Sequence, residues 1–331
     1  MKQIILCTIT LGLSLASHAI DNEGIPFSTL TDDGLKIEYI IKSEADKTCK
    51  ISSVDESAKG IITIPETVNG YTVTELGHYA LNRNPNIISV NLPQSLSVIG
   101  DNSFGGCSGI TSIIIPEGVT TIGYEAFWGC TFLSAISFPN SLTYVARGSL
   151  DGTRWFENNP DGVVYAGKVA YRYKGIMPKN TTVILEEGTL SIAGGAFNGC
   201  DELTSIVIPN SVKISGGDAF YGCSQLNKVI VSDIAAWCGI NFSDSIASNP
   251  LWMAKHLYKD EYTELTTLVI PDGVTKIGAA FVNCSGLTSV ILPSSIKSIG
   301  RYSFYGCSNL NSVAFPDNLL EIGKRSFDGC I

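Results

Sequence analysis

The sequence predicts a repeat solenoid, mainly β. Three observations predict it. First, one phrase returns in the same order: a short apolar run, a Pro, an Ile-Gly, a Phe and a Cys. It reads IPEGVTTIGYEAFWGC at 115–130, LPQSLSVIGDNSFGGC at 92–107, IPNSVKISGGDAFYGC at 208–223 and LPSSIKSIGRYSFYGC at 292–307. Second, Cys107, Cys130, Cys200, Cys223, Cys284, Cys307 and Cys330 set a metre in which four of the six gaps are 23 residues. Third, Phe104, Phe127, Phe197, Phe220, Phe281, Phe304 and Phe327 fall at one place in that metre, with Leu81 and Leu150 in the same place in weaker units. A fixed period in this range marks stacked coils, because one unit cannot bury its apolar face alone.

The N-terminus, MKQIILCTITLGLSLASHA, reads as a secretory signal. Lys2 gives a positive end, Ile4 to Ala16 an apolar run, and Ser17-His18-Ala19 a small-x-small site, so cleavage is expected after Ala19. That places the signal peptide at 1–19 and the mature chain outside the cytoplasm: secreted, periplasmic or on the outer surface. Cys7 has no lipobox-like context behind it. No later stretch has the roughly 20 apolar residues of a membrane helix.

Residues 20–59 are expected to form a cap. LKIEYIIK (35–42) and KTCKISSV (47–54) flank the polar Ser43-Glu44-Ala45-Asp46, which reads as a β-hairpin. Terminal coils need such a cover.

Residues 60–331 carry the repeats. In LTSIVIP (203–209), Leu203, Ile206 and Ile208 point one way and Ser205 and Val207 the other, the period of a strand. Pro209 ends it, since Pro cannot donate to a ladder. Val212 and Ile214 follow, and in the commonest units an Ile-Gly such as Ile122-Gly123 makes the return.

Two insertions break the metre. The first, about 151–180, holds turn chemistry at Asn158-Asn159-Pro160-Asp161-Gly162, then GVVYAG and KVAYRY as a hairpin. The second, about 232–264, opens on SDIAAWCGINF, a short helix with Ser232 or Asp233 as N-cap. Lys259-Asp260 is a turn between Leu257-Tyr258 and Tyr262. The unit PDGVTKIGAAFVNC (271–284) is one residue short between Pro and Cys, so a bulge or tightened corner is expected there. After Cys330-Ile331 no closing cap is visible; Phe327 is partly exposed, the last coil pairs with something, or the chain continues.

The unit I-x-I-P-x-x-V-x-x-I-G-x-x-A-F-x-G-C, over about 60–331, resembles the 23-residue leucine-rich repeat of the Treponema and Bacteroides surface protein A (BspA-like) type. The resemblance implies a right-handed leucine-rich-repeat coil with a parallel sheet on its concave side. It also implies surface export and protein binding, including adhesion to host proteins. It carries structural positions only, not binding residues.

Composition narrows the partners. The chain is 44% hydrophobic and 16% charged, with a net charge of -9, and shows no basic patch. Nucleic acid is disfavoured, since neutralising phosphates needs clustered Lys and Arg. Proteins and glycans on host or bacterial surfaces remain. Metal chemistry is disfavoured because 23-residue spacing places cysteines on successive coils, pointing the same way, whereas zinc needs converging ligands. Parallel side chains also suit disulfides poorly, so the ladder cysteines read as buried thiols. The mature chain has only His78 and His256, and none of the G-x-S-x-G, H-E-x-x-H or P-loop patterns. No cofactor is expected.

The strand residues pointing away from the core define the candidate site. One row includes Ser205 and Ser289 among small hydroxyls; the next includes Ile114, Ile184, Val207, Ile230, Val269 and Ile291. Nine strands in register would make a face of roughly 40 Å. Contiguous exposed apolar surface marks interaction sites. A rival site is aromatic: Trp155, Tyr171 and Tyr173 in the first insertion, Trp237 and Trp252 in the second. The leading reading is a monomeric, non-catalytic binding protein. The alternatives are a scaffold or stalk without a ligand, and a hydrolase centred on His256 with a carboxylate.

Overall fold

The computed structural model describes residues 24–31, 34–243 and 246–331. The signal segment and its expected cut after Ala19 lie outside the described residues. Each coil contributes two short strands separated by the Pro turn. The longer one, such as Ser112–Ile114 or Ala135–Ser137, pairs in parallel with the next coil, Ala135 opposite Ser112. The other is two residues, such as Val98–Ile99 and Thr121–Ile122, also in parallel with Thr121 opposite Val98. Both registers advance by one period, so every side chain faces its counterpart on the next coil.

That stacking buries the aromatic ladder. Phe104, Phe127, Phe197, Phe220, Phe281 and Phe304 have no exposed surface, and neither do Leu81 and Leu150. Phe104 and Phe127 lie with ring centroids 4.9 Å apart and planes 8° apart, and Phe281 and Phe304 at 5.4 Å and 9°. These separations are those of adjacent strands in a sheet, roughly 4.8 Å. The coil rise, not ring attraction alone, sets the stack. Phe327 is half-buried in the last coil, as one of the sequence readings had it.

A second ladder is conformational. Asn102, Glu125, Tyr302 and Arg325 sit at one corner position with φ between 52° and 61°. Non-glycine residues rarely adopt this region. Bonds to the next coil hold it: Asn102 N–H donates to Tyr124 O at 2.8 Å and Tyr302 N–H to Lys324 O at 3.3 Å. The short unit lacks this corner. No residue between Gly278 and Phe281 has positive φ, which is the tightened corner expected from its missing residue.

The cap forms as expected, with Lys36–Ser43 antiparallel to Thr48–Val54. A third strand, Pro26–Leu30, adds to its outer edge and was not legible in PFSTL. Thr48–Val54 continues in parallel with Tyr71–Leu76, so the cap begins the short-strand sheet. It also closes the core, with Ile37, Tyr39, Cys49 and Ile51 buried.

Both insertions carry helices and strands. Thr153 caps a helix, Arg154–Asn158, and the expected hairpin pairs Gly162–Ala166 with Val169–Lys174. In the second, Asp233 caps Ile234–Cys238 by accepting from Ala236 N–H at 3.0 Å. A further helix, Leu251–Ala254, was not expected. At each insertion both sheets break.

Replacing Phe127 with Ala is expected to lower unfolding free energy by about 3–5 kcal/mol, because it leaves a cavity inside a close-packed stack. Tyr221→Ala, at an exposed position beside Phe220, should change it by less than about 0.5 kcal/mol. Urea unfolding of both variants checks the contrast.

Candidate binding face

The predicted row lies on the longer-strand sheet, and part of it faces solvent. Ile114 is 75% and Ile184 71% exposed, and Val269 and Ile291 are exposed as well. Their strands hold them there by alternation: Ile113 and Val183, one residue earlier, are buried. Four of the predicted residues thus share an exposed face.

Others do not. Val207 and Ile230 are half-buried. At Ile230 the second insertion explains this, since Leu257–Tyr258 adds to Lys228–Ile230 and sets Tyr258 opposite Ile230, while Val207 lies between Ile184 and Ile230. Lys228 Nζ then lies 4.6 Å from the Tyr258 ring centroid and donates to Glu261 O at 2.8 Å. Ser205 is buried, with its hydroxyl 2.6 Å from that of Thr182. Ser289 is half-buried and donates to Thr267 Oγ1 at 3.0 Å. These two pairs of hydroxyls therefore satisfy each other across coils. Nor is the face one sheet of nine strands. It is broken where the insertions leave the coil, between Ala135–Ser137 and Thr181–Ile184 and again between Leu257–Tyr258 and Thr267–Val269, and also, with no insertion, between Ile87–Asn91 and Ser112–Ile114.

The aromatic site is corrected in two places. Tyr171 and Trp237 are 1% exposed. Tyr171 fills the first seam: its hydroxyl accepts from Leu150 N–H at 2.9 Å and donates to Asp151 at 2.7 Å, and Arg172 pairs with Asp151 at 2.7 Å. Trp237 spans the second seam, Nε1–H donating to Ala280 O at 2.9 Å. Buried polar aromatics take partners in this way. Trp155 is half-buried edge-on to Phe138, Tyr173 is half-buried, and Trp252 is half-buried and stacked on Tyr305 at 6.3 Å. The sequence reading missed two exposed groups. Trp128 sits just after Phe127, a place filled by Gly105, Asn198 or Tyr221 in other units, and that variation beside a fixed Phe was its signal. Ile61 stands in register with Ser89, in a unit whose lack of Phe and Cys hid it.

The ladder cysteines are free thiols that tie coils together. Cys107 Sγ donates to Leu81 O at 3.0 Å, Cys130 to Phe104 O at 3.1 Å, Cys223 to Phe197 O at 3.1 Å and Cys307 to Phe281 O at 3.1 Å. Burial pushes these thiols up: Cys107 to about 11, Cys223 to about 12 and Cys284 to about 12. Thiols so placed are inert as nucleophiles. His256 Nδ1 does meet a carboxylate, Glu264 Oε1, at 2.6 Å. Cys284, whose thiol feels Glu264, is fully buried. Among the described residues no group of three or more His, Cys, Asp or Glu could hold a metal ion, and no helix is long and apolar enough to cross a membrane.

A coil of 23 residues with a parallel sheet, a buried Phe spine and a solvent-facing strand row defines a leucine-rich-repeat protein. The chain belongs to the BspA type leucine-rich repeat region family, which it matches in 6 copies over residues 41–158, 170–243 and 255–331. Among solved structures it is similar to a leucine-rich cell surface protein from Faecalibacterium prausnitzii, at 22% identity over 89% of this chain and 78% of that one, with a TM-score of 0.39. It is also similar to a leucine-rich repeat protein from Bacteroides ovatus, at 23% identity over 89% and 91% of the chains with a TM-score of 0.31. A leucine-rich repeat protein of T. pallidum matches at 18% identity over 95% and 89%, with a TM-score of 0.26. No curated protein matches.

The raised thiols fix an alkaline limit. Below the ordinary thiol value of 9.0 both folded and unfolded chains hold these protons. Above it the unfolded chain releases them while the folded chain holds them to about 11 or 12, so stability falls through that window. Cys223→Ala should lose stability at neutral pH and show a shallower fall between pH 9 and 12, read from urea midpoints across pH.

Proposed function

We propose that this protein is exported and binds a protein or glycan on a host or bacterial surface, as a monomer and without catalysis. The observation that carries this reading is the set of solvent-facing aliphatic residues Ile114, Ile184, Val269 and Ile291, which hold the same place on the longer strands of three successive sheet segments. Exposed β-branched residues suit strands, but aliphatic residues repeated along one face also form an interaction surface. Membership in a family that includes bacterial surface proteins supports it. The N-terminal signal pattern supports export, and the net charge of -9 turns nucleic acid away.

The scaffold reading predicts that this face is dispensable. The triple variant Ile114→Lys, Ile184→Lys, Ile291→Lys separates the two. Binding to a panel of host-matrix and bacterial-surface proteins and glycans is expected to weaken at least about tenfold, the equivalent of about 1.4 kcal/mol, with the circular dichroism spectrum and melting temperature unchanged. Equal binding by the variant would favour the scaffold. His256→Ala should leave binding intact.

A further inference from the structure

The second insertion leaves a seam in the short-strand sheet. One five-stranded sheet ends at Asn241–Phe242, and a separate three-stranded sheet begins at Lys276–Ile277. At other steps the amide after the short strand donates to the coil behind it. Gly100 bonds Leu76 O at 2.7 Å, Gly123 bonds Ile99 O at 2.8 Å, Gly216 bonds Ile192 O at 2.9 Å and Gly300 bonds Ile277 O at 2.7 Å. Gly278 holds the same place and has no such bond among the described residues.

Packing gives the same result independently. A Cβ at Gly100, Gly123, Gly216 or Gly323 would lie under 3.0 Å from backbone of the coil behind. At Gly278 it would meet nothing within 4 Å among the described residues. A cavity of about 540 Å³ lies in this gap, with Ile240 and Asn241 on one wall and Asp272, Thr275, Lys276 and Gly278 on the other.

The gap is not a frayed end, because side chains fix its walls. Trp237 Nε1–H donates to Ala280 O, and Asn249 Nδ2 donates to Ala279 O at 2.7 Å and Ala280 O at 3.1 Å. Beside the longer strands, Leu265 N–H donates to Leu257 O at 2.8 Å. The first seam differs, since buried Tyr171 fills it.

We infer that this seam receives one extended polypeptide segment of a partner protein, which pairs with Asn241–Phe242 on one side and Lys276–Ile277 on the other. Unpaired strand edges are templates for an added strand. Here two such edges, each the terminus of a parallel sheet, flank one groove. Extended backbone presents N–H and C=O groups to both sides at once, at the strand repeat; a sugar does not. The walls carry one acid, Asp272, and one base, Lys276, so recognition runs through backbone rather than net charge. The occupant lacks Pro at its paired positions, because Pro cannot donate. The seam is on a different sheet from the aliphatic row, so this inference stands apart from the proposed function.

The test is nuclear magnetic resonance on isotope-labelled protein with a capped hexapeptide, Lys-Thr-Val-Thr-Val-Lys, as probe. Its analogue N-methylated at alternate residues keeps charge and side chains but loses donors. The peptide is expected to shift the amide signals of Thr275, Lys276 and Gly278 and to slow Gly278 amide exchange at least about tenfold. The methylated analogue should bind at least about tenfold more weakly, each figure corresponding to about 1.4 kcal/mol. Gly278→Trp, whose side chain enters the open space, should abolish the shifts. If that variant fails to fold, the methylated peptide still decides. Equal binding by both peptides, shifts confined to other residues, or no shift at millimolar peptide would overturn the inference.

Discussion

The distance between successive coils governs this molecule. Parallel strands stack at about 4.8 Å, and everything repeated in the sequence must be tolerable at that spacing. A phenyl ring is, as flat stacks at 4.9 to 5.4 Å show. A thiol is, because its hydrogen reaches a carbonyl of the coil behind while its bulk stays apolar. The serines follow the same rule: Ser149 Oγ donates to Gly123 O at 2.7 Å and Ser303 Oγ to Ile277 O at 3.1 Å, one coil back. A Cβ at Gly123 is not tolerable, because backbone of the coil behind already occupies its place. The recurring Phe, Cys, Ser and Gly are four answers to one spacing.

This explains what could be read from sequence. Groups bound to the coil rise recur every 23 residues, so the Phe spine, the buried thiols and the strand alternation were all legible. So was the tightened corner at Gly278–Phe281, because a missing residue breaks the count. The hidden features lack a period. Pro26–Leu30 has no repeated counterpart and joins an edge. Tyr171 and Trp237 look like surface anchors in composition, yet each fills a seam that only the fold creates. The buried Ser205 and the half-buried Val207 and Ile230 were mistaken for free surface because alternation assigns a face without revealing what lies upon it. At Ile230 the cover is Tyr258, brought opposite it by the insertion, and at Ser205 the partner is Thr182 of the coil behind.

The insertions are therefore more than interruptions. In a stacked coil each unit depends on its neighbours, so a break in the backbone ladder must be bridged by other means. At the first seam Tyr171, Asp151 and Arg172 do so with a buried hydroxyl and an ion pair. At the second, Trp237 and Asn249 reach across to the carbonyls of Ala279 and Ala280. At both places side chains add to the few main-chain bonds that remain, such as Trp155 N–H to Leu133 O and Leu265 N–H to Leu257 O.

The two bridges leave different surfaces. A backbone ladder is the same at every coil and offers no position that stands out from the next. An aliphatic row along it gives area without register, suited to broad contact. Where side chains carry the join, the identical rungs are absent, and each edge regains the groups that a repeat normally consumes. The first seam spends them on Tyr171. The second keeps them beside Gly278, held apart by a buried indole and an amide. Where the repetition fails at the second seam, the molecule presents backbone that its own next coil has not satisfied, among the described residues.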